Sequence, residues 1–410
     1  MDATYDSRMT ETRSAWGAVI CMSLMTFTLV ASEFMPVSLL TPIAEDLAIT
    51  EGQAGMAIAV SGFFAVVTSL FSNGLLARFD RRTVVLGYTA VLVISGIAVA
   101  FAPNYLVFML GRALIGVSVG GFWSLATAIV ARIVSGPDVP KALAMLQGGT
   151  ALAAVIAAPL GSFLGGLIGW RGAFFILVPV GVGAFVWQAL VLPRMPGGGT
   201  ASTGAPFRLL ANRTFALGMA AMTLFFAGQF ALSTYLRPFL ELITALDVNT
   251  LSLVLLGLGL AGLAGTSLIG LLLRAHLSAV LIAFPAALAA IALLLIGLGP
   301  VAIATTGLLM LWGFLTTPIP VAWGTWMTRT IPNQLEAGGG LQVALIQFAI
   351  TFGAFSGGLL FDSAGWWSAF ALGALLLLGS AIVAAAATGA RQKAGRHGNL
   401  SYGMEGTAAC

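Results

Sequence analysis

Long apolar stretches separated by short polar ones run along this chain from end to end. An α-helix needs about 20 predominantly apolar residues to cross the hydrocarbon core of a bilayer. The pattern predicts twelve such helices, which we number span 1 to span 12. Their approximate limits are 16–41, 53–77, 83–102, 104–131, 141–168, 172–192, 214–236, 249–273, 277–299, 301–328, 339–361 and 365–389.

The longest internal polar stretch, 193–213, is rich in glycine, serine and threonine and predicts a linker. It separates two sets of six spans, which we call the N-terminal lobe (16–192) and the C-terminal lobe (214–389). The predicted fold is therefore an all-α integral membrane protein with twelve transmembrane helices in two six-helix lobes. This plan is typical of secondary transporters, whose substrate site lies at mid-membrane between the lobes.

Composition supports a membrane protein. The 410 residues are 59% hydrophobic and 8% charged, with a mean hydropathy of +1.02, whereas a soluble domain carries about 25% charged residues. The first apolar run is too long for the apolar core of a signal peptide, so we expect it to be a retained span.

The basic residues predict the orientation. Of the 18 lysines and arginines, 15 fall in segments on the same side as the N-terminus, and Arg171 and Arg237 fall on the other side. Because cytoplasmic segments carry the excess of positive charge, the N-terminal segment (1–15) and the C-terminal tail (390–410) are predicted to be cytoplasmic. The net charge of +4 reflects this topology and does not indicate nucleic-acid binding.

Several kinds of chemistry are not expected. Cys21 and Cys410 show no metal-ligand spacing, and His276 and His397 fall in a loop and in the tail. The sequence contains no nucleophile–base set and no phosphate-binding loop, so we expect neither an enzyme nor direct ATP drive. We expect no metal and no cofactor.

Two charges stand inside the predicted spans. Glu33 in span 1 and Arg112 in span 4 each lie about eight residues from the outer end of their span, which places both roughly 12 Å deep. An ionisable group in hydrocarbon is costly and is usually functional. Pro36, three residues after Glu33, weakens the helix there. The hypothesis is that Glu33 carries a proton beside Arg112, and the alternative is that the pair is a static strut.

Three segments resemble sequence motifs of one transporter family. They are Gly74 to Arg82 between spans 2 and 3, Arg112 to Gly121 in span 4, and Gly148 to Gly166 in span 5. By these motifs the chain resembles the major facilitator superfamily, in its twelve-span drug:proton antiporter branch. It departs from the pattern at Arg78, where the first aspartate of the loop motif usually stands, and at Ala158, where a glycine usually precedes the proline.

The segments Glu33 to Pro42, Gly120 to Trp123 and Val321 to Trp326 carry a narrower resemblance. By these and other segments, over nearly its whole length, the chain resembles the purine ribonucleoside exporters of bacteria within that branch. The resemblance implies proton-coupled antiport in a bacterial inner membrane by a monomer, with protons and a purine ribonucleoside as partners. A proton that enters down a potential of 100 mV releases about 2.3 kcal/mol, which can drive an uncharged solute outward. Two alternatives remain: an exporter of drugs or sugars, and a substrate sensor that does not transport.

A pocket for a ribonucleoside needs aromatic faces and neutral hydrogen-bonding groups. Mid-membrane glutamines are the stronger candidates, since an unpaired amide in hydrocarbon is costly. For each aromatic residue, packing against lipid or at the membrane interface is an equally good explanation. The candidates are Phe122, Trp123, Gln147, Gln229, Tyr235, Trp323, Gln342 and Gln347.

Two further motifs have mechanical interpretations. Asp80, Arg81 and Arg82 are predicted to form a cytoplasmic latch that joins the lobes in one state, or else to serve only the orientation. Small residues let helices approach closely, so span 5 is predicted to pack on span 8 through Gly148, Pro159, Gly161 and Gly165. Pro318 and Pro320 are predicted to bend span 10.

Overall fold

The computed structural model describes residues 2–76, 78–134, 138–196, 208–331 and 335–405. Side chains are described for these residues except 2–14, 73–74, 131, 140, 274–275, 335–337, 340 and 388–405. Most of the predicted linker and the last residues of the predicted tail therefore lie outside the described residues.

All regular structure in the described residues is helical, so the prediction of an all-α fold is confirmed. A single 3₁₀ turn, Leu209–Ala211, precedes span 7. The α-helices are Asp2–Leu47, Glu51–Leu75, Arg81–Ala100, Tyr105–Ile133, Val139–Val191, Arg213–Ser233, Leu236–Leu242, Val248–Leu298, Ala302–Thr316, Ile319–Thr330, Leu335–Ala364 and Trp366–Glu405.

Within the described residues, eleven helical stretches are long and apolar enough to cross a membrane. The stretch Lys141–Val191 has 51 residues, or about 75 Å of helix, which is more than twice the thickness of a bilayer core. It contains spans 5 and 6, because the helical dihedrals are interrupted at Gly169, where φ is +75° and ψ is 163°. A residue with a Cβ is strained at such a φ, so glycine suits this turn.

Spans 1, 7 and 10 differ from simple rods. Span 1 stays helical through Pro36 and Pro42 as far as Leu47, six residues beyond the predicted limit. Span 7 is two helices that continue to Leu242, and span 10 is broken between Thr316 and Ile319, next to Pro318, as predicted.

The extension of span 7 corrects one prediction. The predicted limit of span 7 at residue 236 leaves Arg237 in an outer loop, but Arg237 and Glu241 both lie in the helix Leu236–Leu242, where Arg237 is buried. Their side chains form an ion pair of 2.8 Å at i,i+4 spacing. Opposite charges one helical turn apart compensate each other, so the segment can remain helical in apolar surroundings. Glu33 and Arg112 are thus not the only charges inside the spans.

Among the described residues, several pairs of helices join the two lobes. Span 2 packs against span 11, span 5 against span 8, and span 1 against the helix Leu236–Leu242. We call the end of the bundle where spans 1 and 2 are joined the Asp46 end, and the end where spans 2 and 3 are joined the Asp80 end.

Apolar packing differs between these two ends. At the Asp46 end, one buried cluster continues from the N-terminal lobe, with Leu39, Ile43 and Phe108, into the C-terminal lobe, with Phe239. Nearer the Asp80 end, a second cluster, which includes Phe122, is made of residues of the N-terminal lobe and of Met195 at the start of the linker, and includes no residue of the C-terminal lobe. The two lobes therefore share a continuous core at the Asp46 end.

Close approach of spans 2 and 4 should make Gly120 intolerant of substitution. A Cβ at Gly120 would lie 2.1 Å from the main-chain oxygen of Ala65, whereas a Cβ at Gly307 would meet nothing within 4 Å. We expect Gly120→Ala to lower the melting temperature and the yield of monodisperse protein. Gly307→Ala, the matched control, should be neutral or stabilising by about 0.5–1 kcal/mol, since alanine favours helix. Equal melting temperatures for the two variants would contradict this packing.

Candidate functional site

Glu33 lies at the boundary between the two lobes. Its side chain is 3% exposed, and its Oε1 accepts a hydrogen bond of 3.2 Å from Nε2 of Gln347 in span 11. Both residues were predicted as site residues, and the structure brings them together. An ionisable group of one lobe is thus hydrogen-bonded to the other lobe inside the membrane.

Arg112 contacts the main chain of span 1 and not the carboxylate of Glu33. Its Nη1 donates to the main-chain oxygen of Ser32 at 2.8 Å, and its Nη2 donates to that of Glu33 at 2.6 Å. In span 2 its guanidinium donates to the main-chain oxygen of Ala57 and to Ser61 Oγ, both at 3.2 Å. The fully buried cation is therefore solvated by four oxygen acceptors.

Pro36 explains why an acceptor is available for Arg112. In an α-helix the oxygen of Ser32 would accept from the N–H of residue 36, but proline has no N–H. A main-chain oxygen left without a donor in hydrocarbon is costly, and a neighbouring helix can supply the donor. Gly116 lets span 4 approach span 2 closely, since a Cβ there would lie 2.1 Å from the main-chain oxygen of Ser61.

Gln347 has unused hydrogen-bonding capacity. It is 7% exposed, and its Oε1 is buried and has no hydrogen-bond partner in the structure. Its amide can donate through Nε2 and accept through Oε1. The residue beside Glu33 can therefore bond a carboxylate as a donor or a carboxylic acid as an acceptor.

The second proline of span 1 has a similar partner in the other lobe. Pro42 has no N–H for the main-chain oxygen of Ser38, and Nη1 of Arg237 donates to that oxygen. Nη1 of Arg237 also donates to Ser162 Oγ of span 5 at 3.3 Å, and Ser252 Oγ of span 8 donates to Ser162 Oγ at 3.0 Å. We call the group formed by Arg237, Glu241, Ser38, Ser162 and Ser252 the Arg237 clasp.

A second polar contact joins the lobes at the Asp46 end. The carboxylate of Asp362, at the end of span 11, accepts from Thr50 Oγ1 at 2.5 Å and from the main-chain N–H of Gly52 at 3.0 Å. A Cβ at position 52 would lie 2.3 Å from Oδ2 of Asp362, so a larger residue there would displace the carboxylate from this contact. A carboxylate of one lobe thus sits at the N-terminus of a helix of the other lobe.

Between Glu33 and these contacts lies an apolar cluster that we call the interlobe seal. Its buried members are Ile58 and Ala59 of span 2 and Ile350 and Ala354 of span 11. Partly buried residues packed against them are Phe34, Val37, Met56, Phe230 and Ile346. The rings of Phe34 and Phe230 are in contact, with centroids 5.4 Å apart.

Three of the four predicted aromatic candidates are buried. Phe122 and Tyr235 are 0% exposed, and Trp323 is 1% exposed. Phe122 and Trp323 lie inside one lobe, and Trp323 packs edge to face on Trp326. Tyr235 lies at the lobe boundary, against Gly55 of span 2, and donates to the main-chain oxygen of Ala354 at 2.8 Å. These three residues present no free face in this conformation, while Trp123 is only partly buried.

The other predicted glutamines are more accessible than Gln347. Gln147 is exposed, and its Oε1 accepts a long hydrogen bond of 3.4 Å from Thr150 Oγ1. Gln229 and Gln342 are half-buried. Their role in binding a solute stays a prediction.

The contacts of the Asp80 motif lie within the N-terminal lobe and the first residues of the linker. Asp80 caps span 3 by accepting from the N–H of Arg82 at 2.8 Å, and it accepts from the N–H of Met195 at 2.9 Å. Arg82 donates to the main-chain oxygen of Ala189 in span 6, and the N–H of Arg81 donates to the main-chain oxygen of Met195 at 2.9 Å. A latch between the lobes, as predicted from the sequence, is not formed by these contacts and stays a prediction for another conformation.

The predicted glycine motif of span 5 faces span 1 more than span 8. Added Cβ atoms at Gly161 and Gly165 would meet Ser38 and Leu39 of span 1, and one at Gly148 would meet nothing within 4 Å. This differs from the prediction, because span 5 turns the Gly161 face toward its own lobe. Two other residues of span 5, Val155 and Gly166, contact span 8.

Pro159 does support the predicted contact between spans 5 and 8. Because it has no N–H, the main-chain oxygen of Val155 has no helical partner. That oxygen lies against Gly259 of span 8, 3.0 Å from where a Cβ would be. The proline therefore leaves an acceptor at the lobe boundary.

Sequence reasoning missed the Arg237 clasp and the ring pair of the interlobe seal. One usable signal was Pro42, which leaves the oxygen of Ser38 in need of a donor. A second was the i,i+4 spacing of Arg237 and Glu241 within an apolar segment. No local signal marks Phe34 and Phe230 as partners, since they are far apart in the chain.

Comparisons with known proteins find close relatives of nearly full length. The transcription regulatory protein OpdE of Pseudomonas aeruginosa is 50% identical over 372 residues, which cover 90% of this chain and 92% of that protein. The purine ribonucleoside efflux pump NepI of Salmonella typhimurium is 41% identical over 374 residues, which cover 91% and 94%.

Solved transporters share the fold. The human organic anion transporter MFSD10 (TETRAN) superimposes with a TM-score of 0.65 at 17% identity, covering 91% of this chain and 99% of that one. A bacterial homologue of the human lysosomal transporter Spinster gives 0.66 at 16% identity, covering 91% and 95%.

The family is decided by a match to most of the chain. The model of the Major Facilitator Superfamily matches residues 22–339, a range that includes Glu33, Arg112 and the Asp80 motif. The fold of the two solved transporters agrees with a multi-pass membrane protein of two six-helix lobes. The chain belongs to the Major Facilitator Superfamily.

Proposed function

We propose that this protein exports purine ribonucleosides in exchange for protons, by alternating access, in a bacterial inner membrane. The observation that carries the proposal is the hydrogen bond between Glu33 and Gln347. It joins an ionisable group of one lobe to the other lobe, within segments that we predict to span the membrane. Protonation there changes the energy of a contact that must break when the lobes move.

The chemistry of the two side chains makes this contact sensitive to the proton. An ionised Glu33 only accepts, and the Nε2 of Gln347 donates to it. A protonated Glu33 carries an O–H, for which the unpartnered Oε1 of Gln347 is an acceptor after rotation of the amide. Because the two protonation states bond the opposite lobe differently, a proton can shift the equilibrium between conformations.

Arg112 serves this mechanism as a positioning residue. It bonds the main-chain oxygens of Ser32 and Glu33 and so fixes the part of span 1 that carries the carboxylate. The side chain of Glu33 is left to Gln347, so the carboxylate can gain and lose a proton without losing its place.

The direction of transport follows from the predicted orientation. The excess of positive charge assigns the Asp80 end and both termini to the cytoplasm and the Asp46 end to the outer face. The contacts of Asp362 and of Arg237 between the lobes lie at the Asp46 end. We infer that this conformation is closed to the outside and receives its solute from the cytoplasm.

We propose purine ribonucleosides as the solute because of the names of similar proteins. Relatives named purine ribonucleoside efflux pumps are 41% identical over most of the chain. An uncharged nucleoside needs an energy source for export, which inward proton movement supplies.

A second candidate is a membrane sensor that binds a solute without transporting it. One relative, 50% identical, bears the name transcription regulatory protein. The two functions differ in one measurable quantity, which is net movement of solute across a membrane.

Transport by purified protein in liposomes with an acid interior tests the proposal. Protein molecules whose Asp80 end faces the outside should accumulate inosine, and each inosine should release protons from the interior. Saturable binding of inosine without accumulation and without proton release would instead support the sensor.

Glu33→Gln should abolish proton-driven accumulation, because an amide cannot exchange a proton in the cycle. Exchange of internal for external inosine should persist, since it needs no net proton transfer. The matched control is Glu45→Gln, which neutralises an exposed glutamate of the same helix and should accumulate inosine like the wild type. If Glu33→Gln kept full proton-driven accumulation, Glu33 would not be the proton carrier.

Loss of the Arg237 clasp should open the Asp46 end. In Arg237→Gln/Glu241→Gln, a Val37→Cys reporter beside the interlobe seal should react with a membrane-impermeant maleimide about ten-fold faster, because a hydrogen bond from a charged group contributes about 1.5–3 kcal/mol. The background should carry Cys21→Ala and Cys410→Ala.

The matched control for this experiment is Arg171→Gln/Asp46→Asn. It removes the other ion pair of the same end, which lies within the N-terminal lobe and is partly exposed. Its labelling rate should equal that of the reporter alone. Equal rates in both double variants would contradict a gate at Arg237.

A further inference from the structure

We propose that Phe34 and Phe230 form the stacking site for the flat aromatic ring of the solute. Applied to a purine base, this inference rests on the proposed function. The site itself is argued from the geometry of the two rings. Neither residue was a candidate on sequence grounds.

The two rings come from opposite lobes. Phe34 is in span 1 and Phe230 is in span 7, and their planes are tilted by 31° with centroids 5.4 Å apart. The other ring pairs found among the described residues each lie within one lobe, as Phe215–Trp326 and Tyr235–Phe361 do. A solute held between the lobes therefore meets aromatic surface from both of them here.

Accessibility also favours this pair. Phe34 and Phe230 are partly exposed, while Phe122 and Trp323 are buried within their own lobes. A base needs an accessible ring face to stack, and rings buried in a lobe core do not provide one. The pair thus takes the place of most of the aromatic residues expected from the sequence.

The neighbours of the pair supply polar groups. Phe34 directly follows Glu33, and Phe230 directly follows the half-buried Gln229. Ile346, which packs against the same cluster, precedes Gln347. Amide groups that can bond the edge of a base thus stand next in the chain to apolar groups that cover its faces.

Stacking at this place couples solute binding to lobe movement. Aromatic atoms in contact are about 3.5–4 Å apart, so a base between the rings requires the two faces to lie about 7–8 Å apart. The rings touch each other in this conformation. Insertion of a base therefore separates spans 1 and 7 at the interlobe seal, beside the contact that the proton controls.

Binding of inosine to purified protein, measured by calorimetry in detergent, tests the site. Phe34→Leu and Phe230→Leu keep an apolar side chain but remove the ring. Loss of stacking should raise the dissociation constant of inosine about ten-fold or more, since stacking on an aromatic side chain contributes about 1–3 kcal/mol per base. The matched control is Phe352→Leu, a 44% exposed span-11 phenylalanine that stacks on Phe348 of its own helix, and its affinity should be unchanged.

Further variants separate stacking from loss of structure. Phe34→Tyr and Phe230→Tyr retain the ring face and should bind inosine with the affinity of the wild type, whereas ribose should bind all variants equally. If both leucine variants bound inosine normally, or if the tyrosine variants lost affinity as the leucine variants do, the proposed site would be wrong. A wild type that bound neither inosine nor the planar dye proflavine would also overturn it.

The result is distinguishable from a failure of the proposed function. A wild type that binds inosine through the pair but moves no inosine against protons would keep the site and remove the exporter. Proton-driven inosine transport combined with normal binding by the leucine variants would keep the exporter and remove the site.

Discussion

Span 1 contains two prolines, and each leaves a main-chain oxygen without its helical donor in a region where water is scarce. Two arginines, each needing acceptors for a buried charge, meet these oxygens: Arg112 at Ser32 and Arg237 at Ser38. Each arginine supplies the donor that a main-chain oxygen lacks, and each oxygen supplies an acceptor that a buried guanidinium needs. One arginine belongs to the same lobe as span 1 and the other to the opposite lobe, so span 1 is fixed within its lobe at one level and fastened across the boundary at another.

Glu33 lies between these two levels, and its chemistry depends on how the arginines are occupied. Arg112 donates its hydrogen bonds to main-chain oxygens and a serine hydroxyl, and Arg237 is paired with Glu241. The carboxylate is left with an uncharged amide as its hydrogen-bond partner. A strong pair with a guanidinium would hold the carboxylate ionised, whereas an amide can bond either protonation state.

Hydropathy was sufficient to predict the membrane-spanning helices, because a bilayer requires long apolar segments whichever helices pack beside them. Depth along the spans also brought Glu33 and Arg112 together, although it could not show that the contact is with the main chain. Prediction from the sequence failed for contacts between residues far apart in the chain, such as Arg237 and Ser38, which are 199 residues apart. Aromatic residues such as Trp323 were assigned to the pocket because composition carries no information on which helix face meets its own lobe.

The carboxylate of Asp362 occupies the N-terminus of span 2, where the helix macrodipole carries partial positive charge. A helix of one lobe thus has its positive end neutralised by the other lobe, and every opening of the Asp46 end separates the two. Asp362 is exposed to the aqueous phase, so dissolved ions screen this attraction. We therefore expect the balance between the closed and open forms of the Asp46 end to depend on the ionic strength of the solution at that face, a response to salt that requires neither a solute nor a proton.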